Sequence, residues 1–205
     1  MPRADSRFIA AAFIAILAAN VAHTARADET RTAANVAGKS EAAANQRKNA
    51  PRREVRMHHA NGQLKIAGMQ ILTQEIGLLP DGIWTEWYDN GQKKSEGEYW
   101  LGMRVGLWTE WHANGQKAAE TEYVDGVEEG RRTRWLKSGQ IEREAIFRAG
   151  KRHGHSRDWH SNGQLQAEGD YANGKRTGHW QFWNADGSPD AGRTGNYVEG
   201  KKSRG

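Results

Sequence analysis

The sequence predicts an all-β protein: an open antiparallel sheet built from tandem 24-residue β-hairpin repeats, with a flexible N-terminal segment ahead of it. Three observations carry that expectation. Gly82, Gly106, Gly130, Gly154 and Gly178 recur every 24 residues without a gap. Each is followed five residues on by tryptophan (Trp87, Trp111, Trp135, Trp159, Trp183) and nine residues on by glycine (Gly91, Gly115, Gly139, Gly163, Gly187). The chain is also poor in apolar residues, at 37% with a mean hydropathy of −0.91, yet holds 24 Gly and 9 Trp. A chain of that kind makes many turns and packs through aromatics, and a fixed internal period is the signature of a repeat architecture.

The first 27 residues read as a secretory signal. Arg3 and Arg7 form a positive start, residues 8–19 are apolar, and Ala25-Arg26-Ala27 is a small-x-small cleavage site before Asp28. A dozen apolar residues fall short of the roughly 20 that a membrane span needs. The expectation is therefore export to the periplasm or medium with no transmembrane segment left after cleavage, an uncleaved anchor being the alternative. Residues 28–54 mix Ala, Asn and charges without periodicity, as a disordered linker does.

From residue 55 to 205 the chain is repeat: a degenerate copy over 55–81, then copies starting at 82, 106, 130, 154 and 178. In the first full copy, residues 84–88 are expected as a strand, Asp89-Asn90-Gly91-Gln92 as a turn, and residues 93–99 as the return strand. Asn-Gly predicts a type I′ turn, with positive φ at both central residues. Asn114-Gly115 and Asn162-Gly163 repeat it, with Ser138-Gly139 and Asp186-Gly187 as weaker versions; Asp125-Gly126 and Asn173-Gly174 link one hairpin to the next. Alternation along each strand places Trp87 with Thr85 and Ile83, and Tyr99 with Gly97 and Ser95. Small residues recur beside Tyr99, Tyr123, Phe147 and Tyr171, leaving an indole room to lie flat on the neighbouring strand. The expected result is a stripe of Trp and Tyr in which Trp111 and Trp135 are buried between copies. Glu96, Glu120, Glu144 and Glu168 form a column on the other face, about 10 Å apart, and need no metal at that spacing.

The strings Gly82-Ile83-Trp84-Thr85-Glu86-Trp87-Tyr88-Asp89-Asn90-Gly91-Gln92 and Gly106-Leu107-Trp108-Thr109-Glu110-Trp111-His112-Ala113-Asn114-Gly115-Gln116 resemble the MORN-repeat variant family. The likeness covers roughly residues 55–202. It implies an extended antiparallel sheet, a role in binding or scaffolding, and no catalysis; bacterial members are often described as antitoxin components of toxin–antitoxin systems. In the third and fourth copies Arg132 and Ser156 stand where the motif has its first tryptophan.

No catalytic set emerges from the residues, and no cofactor or metal is expected. The chain has no cysteine, so thiolate nucleophiles, disulfides and Cys-based zinc sites are excluded. His59, His112 and His160 share one repeat position with Tyr88, Leu136 and Asn184, which suits a planar or bulky edge residue better than a ligand. His153 and His155 flank Gly154 in an expected turn. The repeats are nearly neutral overall, with 21 basic and 20 acidic residues over 55–205, but polarised. Residues 82–129 hold four basic and ten acidic side chains; residues 130–153 hold eight and two.

Within that basic copy, Arg131, Arg132, Arg134, Lys151 and Arg152 form the candidate site for an anionic partner, because arginine offers a bidentate fork to carboxylate or phosphate. Two function classes follow. One is an interaction module for a protein partner or an anionic envelope surface, self-association included. The other is a carbohydrate- or cell-wall-binding protein, provided Trp84, Trp108 and Trp180 are exposed in a groove. Nucleic acid is not expected as a partner, since no basic stripe runs along the array.

Overall fold

The computed structural model describes residues 47–74 and 76–203. The signal expected over 1–27 and most of the linker expected over 28–54 lie outside the described residues. Among the described residues fourteen strands form one antiparallel sheet: β1 (Arg52–His58), β2 (Leu64–Thr73), β3 (Gly77–Pro80), β4 (Gly82–Trp87), β5 (Lys93–Trp100), β6 (Met103–Trp111), β7 (Lys117–Val124), β8 (Val127–Trp135), β9 (Ile141–Arg148), β10 (Lys151–Trp159), β11 (Leu165–Ala172), β12 (Lys175–Phe182), β13 (Gly195–Val198) and β14 (Lys201–Lys202). They pair in sequence order, except that β3 pairs only with β2. Each full copy is one hairpin, as the spacing predicts. β1 begins at Arg52, inside the expected linker, and residues 47–49 add a single helical turn before it. Arg47 Nε donates to the buried Asp81 carboxylate at 2.7 Å, and its guanidinium lies 3.9 Å from the Trp100 ring. This ties the start of the described chain to the first full copy.

The Asn-Gly turns are not of the expected type I′, whereas the links between copies fall where they were expected. In the Asn-Gly turn, the Tyr88 carbonyl accepts from Gly91 N–H at 3.0 Å and Tyr88 N–H donates to the Gln92 carbonyl at 2.8 Å. Gly91 sits at φ 81° while Asn90 keeps an ordinary negative φ. That is a three-residue loop, a type I turn closed by a glycine bulge. It is why the register slips between Glu86 and Trp87 and brings Lys93 opposite Trp87. The type I′ turns are the links between copies: both central residues are positive in Leu101-Gly102, Asp125-Gly126, Ala149-Gly150, Asn173-Gly174 and Glu199-Gly200.

Asparagine has a second duty instead. Its amide donates to the next copy's turn: Asn61 to Asp89 O (2.7 Å), Asn90 to Ala113 O (2.8 Å), Asn114 to Lys137 O (2.7 Å) and Asn162 to Ala185 O (2.6 Å). Alongside, the residue before the turn bonds the next copy's Trp carbonyl. His59, His112 and His160 do so through Nε2 at 2.9 Å to Trp87, Trp135 and Trp183, and the Tyr88 hydroxyl donates to Trp111 O at 2.8 Å. The shared His/Tyr position is thus a strut between copies. In the third copy Leu136 and Ser138 make neither bond.

Packing between copies rests on the first tryptophan of the motif, which corrects the expected stripe. Trp108 and Trp180 are buried, at 4% and 0% exposure, whereas Trp87, Trp111, Trp135, Trp159 and Trp183 are only half-buried. Each first indole leans back over a glycine of the preceding return strand: Trp84 over Gly68, Trp108 over Gly97, Trp180 over Gly169. A Cβ at Gly68 or Gly169 would sit 2.5 Å from an indole carbon, so the glycine is demanded by close approach. Tyrosines pack edge-on against these indoles, Tyr99 at 4.9 Å from Trp108 and Tyr171 at 5.0 Å from Trp180. Parity alone could not choose between the two tryptophans; the lean toward the preceding strand decides it.

Trp111 and Trp135 instead share the opposite face with the glutamates. Lys93 Nζ is 2.7 Å from Glu96 and 5.6 Å from the Trp111 ring, and Lys117 bridges Glu120 and Trp135 in the same way. The expected glutamate column is present. Register places Thr85, Glu96, Thr109, Glu120, Thr133, Glu144, Arg157 and Glu168 in one row, one residue per strand. A threonine or arginine therefore separates each glutamate from the next.

Candidate functional site

The indole face is not continuous. Where a first tryptophan is present, glycine lies beneath it; where the third and fourth copies have Arg132 and Ser156, the residues beneath are Thr121 and Ala145. Both changes belong together, because a β-carbon at those places would collide with an indole. Two adjacent missing indoles leave a hollow of about 50 Å³, lined by Arg132, Arg134, Arg143, Ala145, Phe147 and Arg152.

Of the five basic residues expected to act together, the structure brings three to this hollow. Arg132 is paired with Ala145, Arg134 with Arg143, and Arg152 with Phe147 across the sheet, so all three share the indole face. Arg131 and Lys151 do not join them, since each pairs with the opposite parity (Ile146 and Arg148) and faces the glutamate side. Arg143 was outside the expected set. Its signal was legible, for the same hairpin position holds Ser95, Ala119 and Ala167 in the first, second and fourth copies.

The four guanidiniums are unequally compensated. Arg132 Nη1 donates to Glu128 at 2.9 Å, Arg134 lies 3.4 Å from Glu142, and Arg143 is hydrogen-bonded to Asp158. Burial disfavours the Arg143 charge, but the hydrogen bond and attraction from Asp158 more than offset it, so its affinity for the proton is raised. Arg152 has no carboxylate partner among the described residues; it donates to the Tyr171 hydroxyl at 3.0 Å. Arg132 Nε is buried and has no acceptor among the described residues.

His153 and His155 lie in β10 rather than in a turn, on either side of a bulge at Gly154, whose φ is 85°. His155 is 3.4 Å from Asp170. Among the described residues no group of three or more His, Asp or Glu is close enough to hold a metal ion. No helix of the described residues is long and apolar enough to cross a membrane.

Residues 80–101, 104–125 and 152–173 match the family described as MORN repeat variant. Over those three segments the chain carries MORN-variant repeats. The matched segments each span one hairpin as far as the first residue of the type I′ link that follows it, and they skip the basic third copy. No curated protein matches the chain significantly. Among solved structures, it is similar to a protein of unknown function from Bacteroides fragilis, at 11% identity and a TM-score of 0.18, covering 73% of this chain and 94% of that one.

Proposed function

We propose that this MORN-variant chain is an exported, non-enzymatic interaction module whose sheet holds an anionic protein partner. The observation that supports it most is the open array itself: a single layer of repeats offers side chains on both faces, and four guanidiniums answered by three carboxylates line the hollow of the indole face. MORN-variant membership suggests a repeat-based module for protein interaction. Export rests on the order of charged, apolar and small residues over 1–27, and it places the partner in the envelope or outside the cell. A toxin neutralised by this protein would have to be met there.

Carbohydrate stacking loses its footing. Trp108 and Trp180 are buried, and the Trp84 indole lies against Gly68, so the three rings are occupied in holding copies together. Two measurements test the proposal. N-terminal sequencing of the protein from periplasm and medium should find Asp28 first; a soluble cytosolic protein retaining Met1 contradicts export. Pull-down from envelope extract should recover a protein that is lost from an Arg152→Gln bait but not from an Arg131→Gln bait.

A further inference from the structure

Arginine at the start of the hairpin normally caps an indole. Arg104 lies 4.2 Å from the Trp108 ring and Arg176 lies 4.7 Å from Trp180. In the fourth copy the arginine is kept as Arg152 but the indole is replaced by Ser156, so its guanidinium lies over the Tyr171 ring instead, 5.2 Å from the centroid, beside a hollow whose floor is Ala145 and Phe147. The third copy supplies Arg132, Arg134 and Arg143 to the same floor. Three carboxylates answer four guanidiniums, and Arg132 Nε is a buried donor with no acceptor among the described residues. Buried donors are nearly always satisfied, and a planar guanidinium satisfies itself best on a two-oxygen acceptor.

We infer that this hollow is an oxyanion-binding site that takes one carboxylate or phosphate group presented by an acidic segment of a protein partner, held by the Arg132 and Arg152 guanidiniums beside Phe147 and Ala145. About 50 Å³ is room for a single such group. Glu128, Glu142 and Asp158 ring the hollow, and the neighbouring stretch 82–129 carries ten acidic against four basic residues. An extended anionic surface would meet those carboxylates at once, whereas one inserted group avoids them. A protein segment is therefore favoured over a lipid headgroup array. Only the source of the oxyanion rests on the interaction-module reading; the hollow does not.

The test is a titration of the 15N-labelled full chain with inorganic phosphate and, separately, acetate at constant ionic strength, following the arginine Nε–Hε resonances. Saturable shifts of Arg132 and Arg152 are expected. Arg152→Gln should weaken binding roughly tenfold or more, the scale of a lost charged hydrogen bond, while Arg131→Gln and Lys151→Gln leave it unchanged. Ser156→Trp combined with Ala145→Gly rebuilds the indole-on-glycine pair and should abolish binding without lowering Tm, which separates a filled site from an unfolded protein. Shifts that never saturate, or equal losses in Arg131→Gln and Arg152→Gln, overturn the site. A second arm compares peptides centred on Glu, phosphoserine or Gln with vesicles containing anionic lipid. Binding of the Glu or phosphoserine peptide supports a protein source and tells carboxylate from phosphate. Binding to vesicles with both peptides silent overturns that source and the interaction-module reading, and leaves the small-ion result standing.

Discussion

Gly97 and Gly169 lie beneath the Trp108 and Trp180 indoles, and neither can carry a β-carbon without moving its ring. Gly97→Ala and Gly169→Ala are each expected to cost about 1–3 kcal/mol, as overpacking of a tight contact does, read as a lower urea midpoint with an unchanged slope. Leu101 and Ala149 make the opposite case. Each occupies the left-handed first position of a type I′ link, at φ 47° and 48°, where Asn173 serves elsewhere. A side chain with a β-carbon is disfavoured there by about 1–2 kcal/mol, and asparagine is tolerated better than leucine. Leu101→Asn is therefore expected to raise the thermal midpoint.

At the scale of one hairpin against the next, the turns and the sheet faces give separate predictions. The third-to-fourth junction lacks both inter-turn bonds because Leu136 and Ser138 replace the ring and the asparagine. Leu136→His with Ser138→Asn should restore them and stabilise by about 1 kcal/mol, the typical net worth of such bonds. On the other face, the hydrogen bond from Lys93 holds the Glu96 carboxyl below the usual glutamate range, with Thr85 assisting against a modest desolvation. A depressed carboxyl contributes stability above the unfolded-state pKa of about 4.3. That contribution disappears as pH falls through the folded value. Because Glu96 and Lys93 are well exposed, the effect is small. Lys93→Met should flatten the acid limb of a stability–pH profile slightly; an unchanged limb contradicts the pairing.

What could be read without coordinates follows from where each rule applies. A 24-residue period and alternating strands were enough for the hairpins and for the glutamate row. Turn types were not, since Asn90-Gly91 and Asp125-Gly126 look alike in sequence while the loops that contain them differ by one residue. The identity of the buried tryptophan depended on a lean between strands, which parity does not encode. Parity did hold the answer for the basic group, where Arg131 and Lys151 belong to the opposite face from Arg132, Arg134 and Arg152; crowding in sequence concealed it.

Across the whole array, ten acidic and four basic residues over 82–129 stand beside eight basic and two acidic over 130–153. Two such arrays in antiparallel order would set unlike copies against each other. Individual surface pairs contribute about 0–1 kcal/mol, so any such association needs many of them and fades as salt shortens the Debye length. Sedimentation across a salt series should show a heavier species at low ionic strength alone; a mass independent of salt contradicts charge-driven pairing. Beneath these surface effects lies one structural claim, that indole on glycine locks neighbouring copies while the second tryptophan of the motif does not. Equilibrium unfolding of Trp108→Ala against Trp111→Ala tests it most directly. The buried Trp108 should cost about 3–5 kcal/mol, the range for large core aromatics, and the half-buried Trp111 clearly less. Equal losses, or a larger loss at Trp111, would contradict it.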